Sequence, residues 1–168
     1  KMTGSRQPGI PANIGIPYSM SIGLRPGYFG GNYLGVQHDP FQVGTDPNSA
    51  RFKVQNLSLP KDLTISRLDD RRGLQKHFDT LRREVDQSGM ADAMDRFDRQ
   101  AFEMVSGERA RAAFDIASED PRLRDRYGRN TWGQSTLLAR RLVEAGCGYV
   151  TVTSNNWDWH GPKHSVPI

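Results

Sequence analysis

Apolar positions recur at helical spacing through the middle of the chain. Ser66 followed by Asp69 resembles a capping-box start, and Leu68, Leu74, Phe78, Leu81 and Val85 then keep one face apolar until Gly89 ends the run. The spacing predicts a second helix over Asp92–Val105, with Met94, Phe97, Ala101, Phe102 and Val105 as its stripe. A shorter third helix has Ala110, Ala113 and Phe114 inside, and Ser118 with Pro121 marks the next start as an N-cap and an early-turn proline. Thr131 to Ala145 reads as a further helix. Leu137, Leu138, Leu142 and Val143 face inward, Arg140, Arg141 and Glu144 face outward, and Gly146 lies just past the end.

A strand follows that helix at once. Gly148 to Thr153 is rich in β-branched and aromatic residues, and a helix turning through glycine into such a segment is one half of a βαβ unit. The first 57 residues differ: they hold most of the prolines and glycines, and their strand-like pieces, Asn13–Ile16 and Phe52–Val54, are short. Residues 1–57 therefore read as a loop-rich segment, and 58–168 as a helical segment ending in a helix–strand unit and a polar loop. Tyr18, Tyr28, Phe29, Tyr33 and Phe41 supply enough apolar surface to order the loops. One convincing strand and two short ones are few for the helices present, because a parallel sheet needs several members buried on both faces. The expectation is an α/β, helix-rich piece of one larger domain.

Composition narrows the class. The 168 residues are 36% hydrophobic and 25% charged, with 17 glycines and 10 prolines, which describes a globular protein with much irregular backbone. No apolar run approaches the ~20 residues that span a bilayer, and no basic-then-apolar leader opens the chain; read as it stands, it is expected to be neither exported nor anchored. Lys and Arg outnumber Asp and Glu by 23 to 19, but the signs interleave along 67–86 and 92–111 as on solvated helix faces, so no nucleic-acid partner is expected. Cys147 is the only cysteine, which rules out an intramolecular disulfide. Its apolar neighbours predict a small buried side chain.

Chemistry concentrates after the strand, in Ser154-Asn-Asn-Trp-Asp-Trp-His-Gly161. In an extended segment alternate side chains share a side, so Asp158 and His160 converge with Cα atoms about 6–7 Å apart, close enough for both to reach one divalent ion. Ligands of open α/β sheets bind beyond the carboxyl ends of strands, where these residues fall. Asp-x-His is also a common hydrogen-bonded surface pair, and His164 is the one further ligand candidate nearby. Ser154, Asn155 and Asn156 read as turn formers, His77 as a solvated helix residue, and Arg140 and Arg141 as electrostatic caps of their own helix. The glycine-rich run from Arg25 to Gly35 has no Lys-Ser or Lys-Thr ending and is no phosphate-cradling loop. It either packs or lines a substrate site, with Arg25 and His38 able to meet an anion.

Several runs together resemble the bacterial domain of unknown function 1501 family, a sulfatase-like, alkaline-phosphatase-like branch. They are Tyr127-Gly-Arg-Asn-Thr-Trp-Gly-Gln134, Leu137-Leu-Ala-Arg-Arg-Leu-Val-Glu-Ala-Gly146, Tyr149-Val-Thr-Val152 and Trp157-Asp-Trp-His-Gly161, with Gly27-Tyr-Phe-Gly-Gly31 and Asn56-Leu-Ser-Leu59 upstream. The resemblance implies an alkaline-phosphatase-like sandwich of a mixed sheet flanked by helices, of which this chain is an incomplete piece. It implies a divalent-metal centre, of zinc, calcium, magnesium or manganese, with Asp158 and His160 as ligands, and an anionic phosphate or sulfate ester as substrate. Trp159 stands where that family usually has Thr, which alters hydrogen bonding around the ligands. The resemblance also suggests export by a twin-arginine signal, not present in these residues. No nucleophile is assignable, so the catalytic residues are unknown and this stretch alone is expected to be inactive. The alternative reading is a non-catalytic relative that binds a partner or a polysaccharide.

Overall fold

The structure, a computed structural model, describes residues 7, 9–17, 30–35, 38–54, 57, 64, 66–67, 70, 73 and 99–153. Three strands build its sheet: β1 (Asn13–Ile16), β2 (Phe41–Gln42) and β3 (Tyr149–Val152). All pairing is parallel, in the order β2-β1-β3, with Ile14 opposite Phe41 on one side and Val150 on the other. The protein is thus α/β with a small parallel sheet. The amide of Val43 extends the β2 edge by donating to the Gly15 carbonyl at 3.1 Å, and that of Thr153 extends the β3 edge by donating to Ile16 at 2.8 Å.

Alternation along β1 and β3 puts Ile14, Ile16, Val150 and Val152 on one face. Ile14 and Ile16 are fully buried in a single core with Val43, Met104, Phe114, Ile116, Leu137, Leu138 and Leu142. Tyr149, on the other face, is 64% exposed. The expected strand at Phe52–Val54 is absent because both of its ends are taken up in turns. Phe52 donates to Ser49 and Leu57 to Val54, both closing turns, while the two-residue β2 is too short to display alternation in sequence.

The helical layer contains residues 99–106, α1 (Glu108–Phe114), α2 (Pro121–Tyr127) and α3 (Thr131–Glu144). Ser66, Arg67, Asp70 and Gly73 are helical as well, but the cap lies earlier than Ser66: Thr64 Oγ1 accepts from the Arg67 amide at 3.3 Å. In 99–106 the deeply buried residue is Met104, whereas Ala101 is exposed. The N-cap of α2 is Asp120 rather than Ser118. Its carboxylate accepts from the Arg122 amide, with Pro121 at the first turn, while Ser118 closes the short 3-10 helix Ile116–Ser118. Among the described residues no helix is long and apolar enough to cross a membrane.

The ends of α3 are specified twice over. At its start, Asn130 Oδ1 accepts from the Gly133 amide at 2.8 Å. A Cβ on Gly133 would lie 2.0 Å from the Tyr127 carbonyl oxygen, so only glycine lets the end of α2 come this close. At the other end Gly146 has φ +112°. The amides of Gly146 and Cys147 return to the carbonyls of Val143 and Leu142, a Schellman closure that delivers the chain into β3. Val143, expected inside, is 54% exposed, because Leu137, Leu138 and Leu142 already fill the inner face.

Cys147 is buried as expected. Its thiol donates to the Tyr149 carbonyl at 3.2 Å, and burial pushes its pKa up. Native Cys147 should therefore react with iodoacetamide at pH 8 at least roughly tenfold more slowly than in the unfolded chain, as alkylation with mass detection would read. In chemical denaturation, Gly133→Ala should destabilise by about 3 kcal/mol through overpacking, while the exposed Thr136→Ala should stay within about 0.5 kcal/mol of wild type.

Candidate functional site

Because the strands are parallel, their carboxyl ends share one edge of the sheet. The loop after β2 is tied there to the start of α3: Thr131 Oγ1 donates to Asp46 Oδ2 at 2.8 Å, and Asp46 Oδ1 holds the Asn48 amide at 2.8 Å. At the same edge β3 runs out through Thr153, whose hydroxyl is buried with no hydrogen-bond partner among the described residues. Asp158, His160 and His164 follow in sequence and lie outside the described residues, as does Arg25. Among the described residues no three His, Cys, Asp or Glu side chains come together.

His38 sits in a loop that is closed on itself. The Gly31 amide donates to Asp39 Oδ1 at 2.6 Å and the His38 amide to the Gly35 carbonyl at 3.0 Å. A Cβ on Gly31 would lie 2.3 Å from the Gly35 carbonyl oxygen, which explains the glycine. His38 does not line the cleft beside the α1–α2 corner.

That cleft, of 680 Å³, lies between the loop after β2 and the corner joining α1 to α2. Phe52, Val54, Leu57, Phe114 and Ile116 form its apolar side. Its charged lining is Lys53, Arg111, Arg124 and Arg129 against one acid, Asp115. The Asp115 carboxylate is engaged with the Ala117 amide at 3.2 Å, and Arg129 pairs with Asp125 at 2.5 Å. Among the described residues, Lys53, Arg111 and Arg124 have no carboxylate partner.

Two side chains of α3 assemble this corner. Gln134 is fully buried, and its carboxamide makes three bonds to the end of α2: Oε1 accepts from Arg124 Nε at 2.8 Å, and Nε2 donates to the carbonyls of Arg124 and Gly128 at 3.0 and 2.7 Å. Arg141, expected outward as a cap of its own helix, instead reaches α1. It donates to the carbonyls of Ala112 and Ala113, pairs with Glu119 and is only 17% exposed. Both carbonyls lie at the carboxyl end of α1, and that of Ala112 also accepts from the Asp115 amide at 3.3 Å. Arg140 does remain on the surface, paired with Glu144 at 2.8 Å.

Sequence reasoning did not find this arginine cleft. Its one local signal is the density of arginine from Arg122 to Arg129, which also suits the last turn of a solvated helix. Comparison with curated proteins and with solved structures returned no match. In comparison with protein families, residues 1–167 match the model described as protein of unknown function (DUF1501), and the chain belongs to that family.

Proposed function

We propose that this chain is part of a metal-dependent hydrolase of phosphate or sulfate esters, built on an alkaline-phosphatase-like sandwich, with Asp158 and His160 among the ligands of a divalent ion. The observation that carries the reading is the parallel pairing of β3 with β1, which puts the end of β3, six residues before Asp158 in sequence, at the carboxyl edge of the sheet. That edge is where open α/β sheets place their ligands.

The donor set suits the ion. A carboxylate oxygen and an imidazole nitrogen are ordinary zinc ligands, and further donors would come from outside the described residues. The Thr153 hydroxyl, buried without a hydrogen-bond partner among the described residues, also fits, since a buried donor at this edge is satisfied once an ester oxygen or a held water faces it. A bound divalent ion would lower the pKa of a hydroxyl nucleophile and offset the charge gathering on the phosphoryl or sulfuryl oxygen. For this chain, the task of Asp158 and His160 is to hold the ion; that of Thr153 is to orient an oxygen beside it.

Elemental analysis of the purified full-length protein that contains this chain should find zinc, calcium, magnesium or manganese, and that protein should turn over an aryl phosphate or sulfate. Asp158→Ala and His160→Ala should each lower occupancy by at least about tenfold, the loss that even outer-sphere partners can cause. Turnover of 4-nitrophenyl phosphate or sulfate should fall with it. Metal-free protein with no turnover sinks the proposal, and polysaccharide binding by such protein would favour the non-catalytic relative.

A further inference from the structure

We infer that the cleft between the loop after β2 and the α1–α2 corner binds a small organic anion, with Arg111, Arg124 and Lys53 meeting its sulfate, phosphate or carboxylate group and the Phe52 side taking its apolar body. This does not rest on the metal reading.

The charge is uncompensated where it counts. Arg129 is already paired with Asp125, and Lys53, Arg111 and Arg124, which have no carboxylate partner among the described residues, outweigh the single negative charge of Asp115. An adjacent helix carboxyl end would ordinarily oppose an anion, but Arg141 satisfies the Ala112 and Ala113 carbonyls of α1.

Arg124 is prepared for the task. Gln134 grips its Nε and its own carbonyl, which fixes the plane of the guanidinium while the terminal nitrogens make no described bond. A planar fork held in advance recognises a tetrahedral or carboxylate anion with less ordering left to occur on binding. The apolar side, from Phe52 to Phe114 and Ile116, gives the ligand a non-polar part. The 680 Å³ volume falls within the roughly 300–1,000 Å³ of small-molecule sites.

Calorimetric titration of the purified protein in EDTA with 4-nitrophenyl sulfate and 4-nitrophenyl phosphate tests this. Saturable binding is expected, weakened by raising salt and weakened about tenfold or more by the double variant Arg111→Ala/Lys53→Ala, whose exposed side chains are dispensable for folding. Arg124→Ala should weaken it at least as much, with circular dichroism confirming the fold. Arg140→Ala, a cation outside the cleft, should change nothing. Asp158→Ala should also leave this affinity intact, which separates the site from the metal reading. No saturable binding, unchanged affinity in the double variant, or equal affinity for inorganic sulfate alone would each overturn the inference.

Discussion

Strand β1 has to serve two neighbours at once, and the architecture follows from that demand. Its four residues bond β2 along one edge and β3 along the other, so its own side chains must satisfy the interior without help from length. Ile14 and Ile16 do so, fully buried beneath the leucines of α3. Residues distant in the chain meet here, as in the facing of Asn13 and Tyr149, and the ordering entropy of such a closure is offset only when the apolar face is buried at the same time. Parallel pairing on both sides also gives the sheet a single carboxyl edge, from which the loop after β2 departs and at which β3 ends.

A second level of organisation lies in the polar side chains that α3 sends back toward its predecessors. Gln134 closes the end of α2 and Arg141 closes the end of α1. Each satisfies helix-terminal carbonyls that would otherwise face the interior. One consequence is chemical: with those carbonyls engaged and Arg124 steered by Gln134, the cleft beside them keeps unneutralised positive charge against an apolar wall. The side chains that hold the corner together and those that give it a binding character are therefore partly the same.

Periodicity revealed local elements well. The inner residues of α1, the span of α3, the turn at Gly146, the strand after it and the buried thiol of Cys147 all follow from spacing and from glycine's access to positive φ. Caps were harder to place, since Thr64 and Ser66, or Ser118 and Asp120, are alike in type and only the amide that each meets distinguishes them. Strand β2 was missed because two residues carry no period. Phe52–Val54 was mistaken for a strand because apolar loop residues turned against a core look the same as strand residues in one dimension.

The sequence by itself determined α1, α3 and β3, where α3 must stop, and family membership through motifs spread along the chain. The tertiary structure decided the parallel order of strands, the inward turn of Arg141, the exposure of Val143 and the gathering of Arg111, Arg124 and Lys53 around one cleft. The physical reason is range. Capping and periodicity act across a turn or two, whereas the partner of an arginine or the neighbour of a strand is settled by which distant groups share the same buried space.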